Sequence, residues 1–228
     1  MIVVPDPPTL EMRPWSWANT ICRLGRKHMR PGISGGGRFA ENYRLFVGEG
    51  LAESCCLTWV ELADPDEVAR RFGATLDDVR ECTIAKARGE LPSYPGHNAP
   101  HVIVCGRAGD RVVVMEPLGW HGKVKIEQIS ADGVEVLNLF ANLNTRLSLR
   151  RAVDGRVLTV VDSGGLRFAG GEDPHGLDDR LGDLPLFPPH PYDERQGAFL
   201  ELAFTLAGHR LDVDWFETAV HRRYFVRN

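Results

Sequence analysis

The chain has 228 residues, 43% of them hydrophobic and 25% charged, a composition that excludes collagen-like, coiled-coil and grossly disordered chains. Its formal charge of −4, from 27 basic and 31 acidic residues, argues against a globally basic nucleic-acid binder. That length is ample to bury a core as one large domain or two small ones.

Residues 1–38 stand apart. They hold Pro5, Pro7, Pro8, Pro14 and Pro31, a Gly-rich run at 32–37, and six basic residues against Asp6 and Glu11. Such a segment buries little and is expected to be a loose basic arm, with 39–228 as a single domain. Trp15 and Trp17 offer it a means of docking, and a start at Met29 would remove most of it. The Gly run lacks the Gly-Lys-Ser/Thr of a phosphate-binding loop.

From Phe39 the pattern becomes regular. Ala40–Val47 has helical spacing, and Ser54–Leu62, rich in β-branched and aromatic residues, reads as a strand. Asp64-Pro65-Asp66-Glu67 opens a helix that stops at Gly73. Thr75-Leu76-Asp77-Asp78 predicts a second helix ending near Gly89, and Leu91–Pro100 a loop. His101–Cys105 and Arg111–Glu116 form a predicted hairpin, followed by a short helix over Lys123–Ser130. Gly133–Asn142 and Thr145–Val153 are expected to pair antiparallel, and Asp154-Gly155 turns the chain into Arg156–Asp162. A short acidic helix is expected near Leu177–Leu181, a buried helix over Ala198–Ala207 stopping at Gly208, and a last turn over Val213–Ala219. The fold class is therefore α+β: an antiparallel sheet of about five to six strands with helices grouped at the two chain ends.

Three sets of strings carry a resemblance. They are Leu57-Thr58-Trp59-Val60 with Asp66–Ala74, then Val113–Gly122, and then Leu181–Leu184 with Leu206–Leu211 and Trp215. Together, over roughly residues 40–226, they resemble a family of uncharacterised actinobacterial proteins that occur in several copies per genome. The most specific string is a strand ending in Glu-Pro followed by a Gly-Trp-x-Gly turn. The resemblance implies an architecture and no reaction.

The opening MIVVPDPPTLEMRPW has neither a basic n-region nor an apolar core, so no signal peptide is expected. No run approaches the roughly 20 apolar residues of a spanning helix. Five cysteines at irregular spacing supply neither a disulfide framework nor CxxC pairs, which suits reduced thiols in a cytoplasm.

Candidate chemistry centres on Glu116–Gly122. It sets a carboxylate, an indole and an imidazole on a turn directly after a core strand. Glu116 and His121 become an acid–base pair if the turn folds back. Otherwise Trp120 packs beneath the turn and Glu116 caps a backbone amide. Cys55 and Cys56, on opposite faces of a strand, are candidate nucleophiles with His97 or His101, although free Cys is usually buried. Asp173, Asp178, Asp179 and Asp183 form an acidic run without calcium-loop spacing, and no metal or other cofactor is expected. Residues 172–217 carry eleven acids against Arg180, Arg195 and Arg210, whereas the tail 221–227 is basic.

These features lead to one main expectation: a non-enzymatic cytoplasmic protein-binding module. It would be regulatory or immunity-like, meeting a basic protein partner through Trp120 and the acidic run. The alternatives are a small hydrolase or transferase using Glu116/His121 or Cys55/Cys56, and nucleic-acid binding through the arm and tail.

Overall fold

A computed structural model of the chain describes residues 38–48, 55–89, 101–117, 119–142, 146–163 and 168–226. The arm expected over 1–38 lies, but for Arg38, outside the described residues, as does the loop 91–100 with His97.

In chain order the elements are α1 (Arg38–Gly48), β1 (Cys55–Val60), α2 (Pro65–Phe72), β2 (Ala74–Cys82), α3 (Ile84–Gly89), β3 (His101–Ala108) and β4 (Arg111–Glu116). There follow two single-turn helices, α4 (His121–Val124) and α5 (Ile126–Ile129), then β5 (Glu135–Ala141), β6 (Leu147–Val153), β7 (Arg156–Asp162) and β8 (Phe168–Gly170). The chain continues through α6 (Asp178–Leu181), α7 (Tyr192–Ala207), α8 (Val213–Glu217) and β9 (His221–Val226). The protein is thus α+β around one large antiparallel sheet, ordered β2-β9-β3-β4-β1-β5-β6-β7-β8. Among the described residues nine strands replace the expected five to six. The additions are β2, β8 and β9, whose partners are remote or whose runs are too short to show a period.

Local chemistry explains the well-anticipated elements. Asp64 caps α2 by accepting the amide of Asp66 at 2.9 Å, Pro65 opens the helix, and Gly73 closes it at φ +88°. Asp154 and Gly155 take φ +52° and +74°, the two positive values that a tight hairpin between β6 and β7 requires.

One expectation fails outright. Thr75-Leu76-Asp77-Asp78 opens no helix, because Ala74–Cys82 is a strand and only Ile84–Gly89 is helical. β2 pairs with β9, setting Glu81 opposite Arg222 and Cys82 opposite His221. A partner about 140 positions away overrides the local capping signal.

Both faces of the sheet are covered, so β1 and β4 are buried at every position instead of alternating. Cys55, Leu57 and Trp59 point to one core with Phe199, Leu202 and Phe204 of α7 and Phe216 of α8. Val60, Val112 and Val114 point to a second core with Val68 and Phe72 of α2, Ile126 and Ile129 of α5, and Tyr224. The basic tail enters the sheet here: β9 lies between β2 and β3, with Tyr224 wholly buried and Arg223 2% exposed. Those two residues are sheet interior, while Arg222 of the same strand stays 43% exposed and pairs with Asp66 at 2.8 Å.

Candidate functional site

On the face of the second core, the half of the sheet away from α2 is polar. Alternation along the paired strands sets Glu116 of β4, Cys56 and Thr58 of β1, Asn138 and Phe140 of β5, and Ser148 and Arg150 of β6 on one surface. The turn after β4 and the short helix α4 lie over it.

Glu116 organises the cover. Its side chain is fully buried; Oε1 accepts the amide of Gly122 at 2.7 Å and Oε2 accepts the amide of His121 at 2.7 Å. Oε2 also lies 3.2 Å from His121 Nδ1. The turn folds back far enough for Glu116 to cap two backbone amides and to contact the imidazole as well. A Cβ at Gly119 would fall 2.5 Å from Glu116 Oε2, and one at Gly122 would strike Thr58 Oγ1. Both glycines of the Gly-Trp-x-Gly string are needed for close approach to neighbouring side chains, a steric demand and not one of flexibility.

Trp120 does not pack beneath the turn; it is 55% exposed. Its ring meets His101 edge-on at 6.5 Å, and His101 in turn meets His121 at 4.3 Å between centroids. Val124, one turn further along, is 69% exposed. Burial, and then the neighbouring His121, hold His101 below the ordinary imidazole value.

The cysteines are poorly placed for nucleophilic work. Cys55 and Cys56 occupy opposite faces of β1, as the alternation predicts, but both are buried. Burial and the Glu116 charge push both thiols far up, away from the thiolate. Cys56 accepts a hydrogen bond from Asn138 Nδ2 at 3.2 Å, and the same nitrogen donates to Thr58 Oγ1 at 2.9 Å. Cys55 faces the other core, so His101 and Cys55 are not brought together.

Asp173, Asp178, Asp179 and Asp183 are exposed in and around α6, in the segment that follows the edge strand β8. Asp178 contacts His175 Nδ1 at 3.0 Å. Leu177 and Leu181 of the same segment bury in the first core, which anchors this acidic strip. Among the described residues no three His, Cys, Asp or Glu side chains gather as metal ligands. Nor is any helix among them long and apolar enough to cross a membrane.

Sequence reasoning missed Thr58, Asn138, Ser148 and Arg150 as parts of this site. Asn138 left a signal, a lone amide in the apolar run Val136–Ala141. It also missed a cavity of about 570 Å³ between α1 and the α7–α8 connection, with Leu45, Leu211 and Phe216 among its lining. Beside it Arg210 bridges Glu201 and Asn42, each at 2.6 Å.

No protein family, curated protein or solved structure matches this chain.

Proposed function

We propose that this chain is a cytoplasmic protein-binding module, regulatory or immunity-like, that engages its partner through Trp120. The observation that carries this reading is the exposure of that indole on a turn pinned by buried hydrogen bonds to Glu116. A tryptophan side chain has only two torsions to fix on docking, and the residue dominates the energetics of many interfaces. Val124 extends the apolar contact. The exposed Asp173, Asp178, Asp179 and Asp183 favour a partner with a basic surface, and their charge would act on encounter rate more than on final affinity. The buried, amide-bound Glu116 and the protonated, enclosed Cys55 and Cys56 support a non-catalytic reading.

The test uses the full chain as bait under a stringent wash. A partner should be retained by wild type and lost at least tenfold by Trp120→Ala. Neutralising Asp178, Asp179 and Asp183 to Asn should slow association and flatten its salt dependence. Retention by Trp120→Ala equal to wild type would refute the assignment.

A second reading is favoured by one distance, the 3.2 Å between Glu116 Oε2 and His121 Nδ1. In a small hydrolase or transferase, Glu116 would orient His121 as general base. Turnover that disappears in His121→Gln, with no captured partner, would replace the binding reading by this one.

A further inference from the structure

Beside the Glu116 turn, three neighbouring side chains each leave a buried polar atom without a hydrogen-bond partner: Asn138 Oδ1, Ser148 Oγ and Arg150 Nε. Asn138 and Arg150 are direct cross-strand partners, and Ser148 lies two positions from Arg150 on the same face of β6. Asn138 is wholly buried and Ser148 is 1% exposed. Orphaned buried polar atoms are rare singly, and a group of them on one face is a place where water or a bound ion completes the hydrogen bonding.

The charge around them has a sign. Lys123 Nζ lies 4.2 Å above the Phe140 ring, and Arg150 donates only a long bond, 3.4 Å, to the Lys123 carbonyl. Arg146 pairs with Asp162 at 3.1 Å. Three cations thus stand on this side of the sheet, with Asp162 beside Arg146 and the amide-bound carboxylate of Glu116 two strands over from Phe140. Burial first, and then Arg150 and Arg146, lower the Lys123 ammonium from its ordinary value, while Asp162 acts in the opposite direction.

We propose that Lys123, Arg146, Ser148 and Arg150 form a binding site for a phosphate group, either the free ion or a phosphomonoester. The donors and cations match its oxygens. Asn138 Oδ1, an acceptor, matches the hydroxyl of a monoprotonated phosphate. A carboxylate has no hydrogen to offer it.

The experiment follows thermal unfolding and calorimetric binding of the full chain with inorganic phosphate, O-phosphoserine, acetate and chloride at matched ionic strength. Phosphate should raise Tm by roughly 5–10 °C at a hundredfold excess over its Kd, and acetate and chloride should not. Lys123→Met and Arg150→Met should weaken phosphate binding at least tenfold. Arg146→Met alters a half-exposed side chain and covers the case in which Arg150→Met fails to fold. Phosphate binding without phosphoserine assigns the free ion, and binding of both assigns the ester. A shift reproduced by acetate or chloride, or one undiminished in Lys123→Met and Arg146→Met, overturns the site.

Discussion

Glu116 and Gly122 are joined carboxylate to amide, Oε1 to N at 2.7 Å, over strands that leave no space for a methyl group. A Cβ at Gly122 would strike Thr58 Oγ1 and lie 2.9 Å from Asn138 Nδ2 and 3.1 Å from Glu116 Oε1. Gly122→Ala should therefore lift α4 and cost about 1–3 kcal/mol. Urea unfolding measures the cost, and a changed Trp120 fluorescence would report the lifted turn. An alanine variant as stable as wild type would show that the approach is not tight.

Removing the carboxylate tests the same clamp from the other side. Glu116→Ala strips two backbone amides of their acceptor, at about 1–3 kcal/mol for each left buried and unsatisfied. Glu116→Gln keeps one acceptor oxygen and should lose clearly less. The order Ala below Gln below wild type in urea midpoint is the expected outcome.

The thiols give a kinetic prediction. Cys55, Cys56 and Cys105 are buried, with thiols pushed upward chiefly by burial. Alkylation at neutral pH should proceed only as fast as the sheet opens, and denaturant should release it. Peptide mapping after a short iodoacetamide pulse reads this. Prompt native labelling of Cys55 or Cys56 would revive a nucleophilic role.

Stability should fall on mild acidification. His101 and His221 are both held below the usual imidazole value of 6.5, chiefly by burial. A base with a depressed folded pKa is protonated more readily when unfolded. Stability is therefore level above 6.5 and declines as pH falls through that value toward the folded pKa values. Urea midpoints between about pH 7.5 and pH 5.5 measure the slope. His221 Nε2 meets the Trp215 carbonyl at 2.7 Å, and His221→Gln can keep that donor while removing the titration. The variant should flatten the decline.

Elements specified by neighbouring residues were legible from sequence: the capped and glycine-stopped α2, the Asp154-Gly155 hairpin and the buried α7. β2 was not, because Thr75 and Asp78 satisfy a local helix-start pattern and the competing partner, β9, is distant in the chain. The Glu116 turn was visible as a motif, but its inner wall was not. Thr58, Asn138 and Ser148 come from three strands, and only their register places them on one surface. The exposure of Trp120 was also invisible, since whether an indole finds a pocket depends on the strands beneath it.

β9 fills the space between β2 and β3, so neither neighbour is fully paired until residues 221–226 have been made. Until then a nascent chain carries β3 and β4 as a hairpin with one bare edge, and β2 as a segment without its strand partner. During that interval the Val102–Val104 edge is open to pairing with another chain. The exposure to mispairing is thus concentrated before β9 is in place, in a template that this strand conceals.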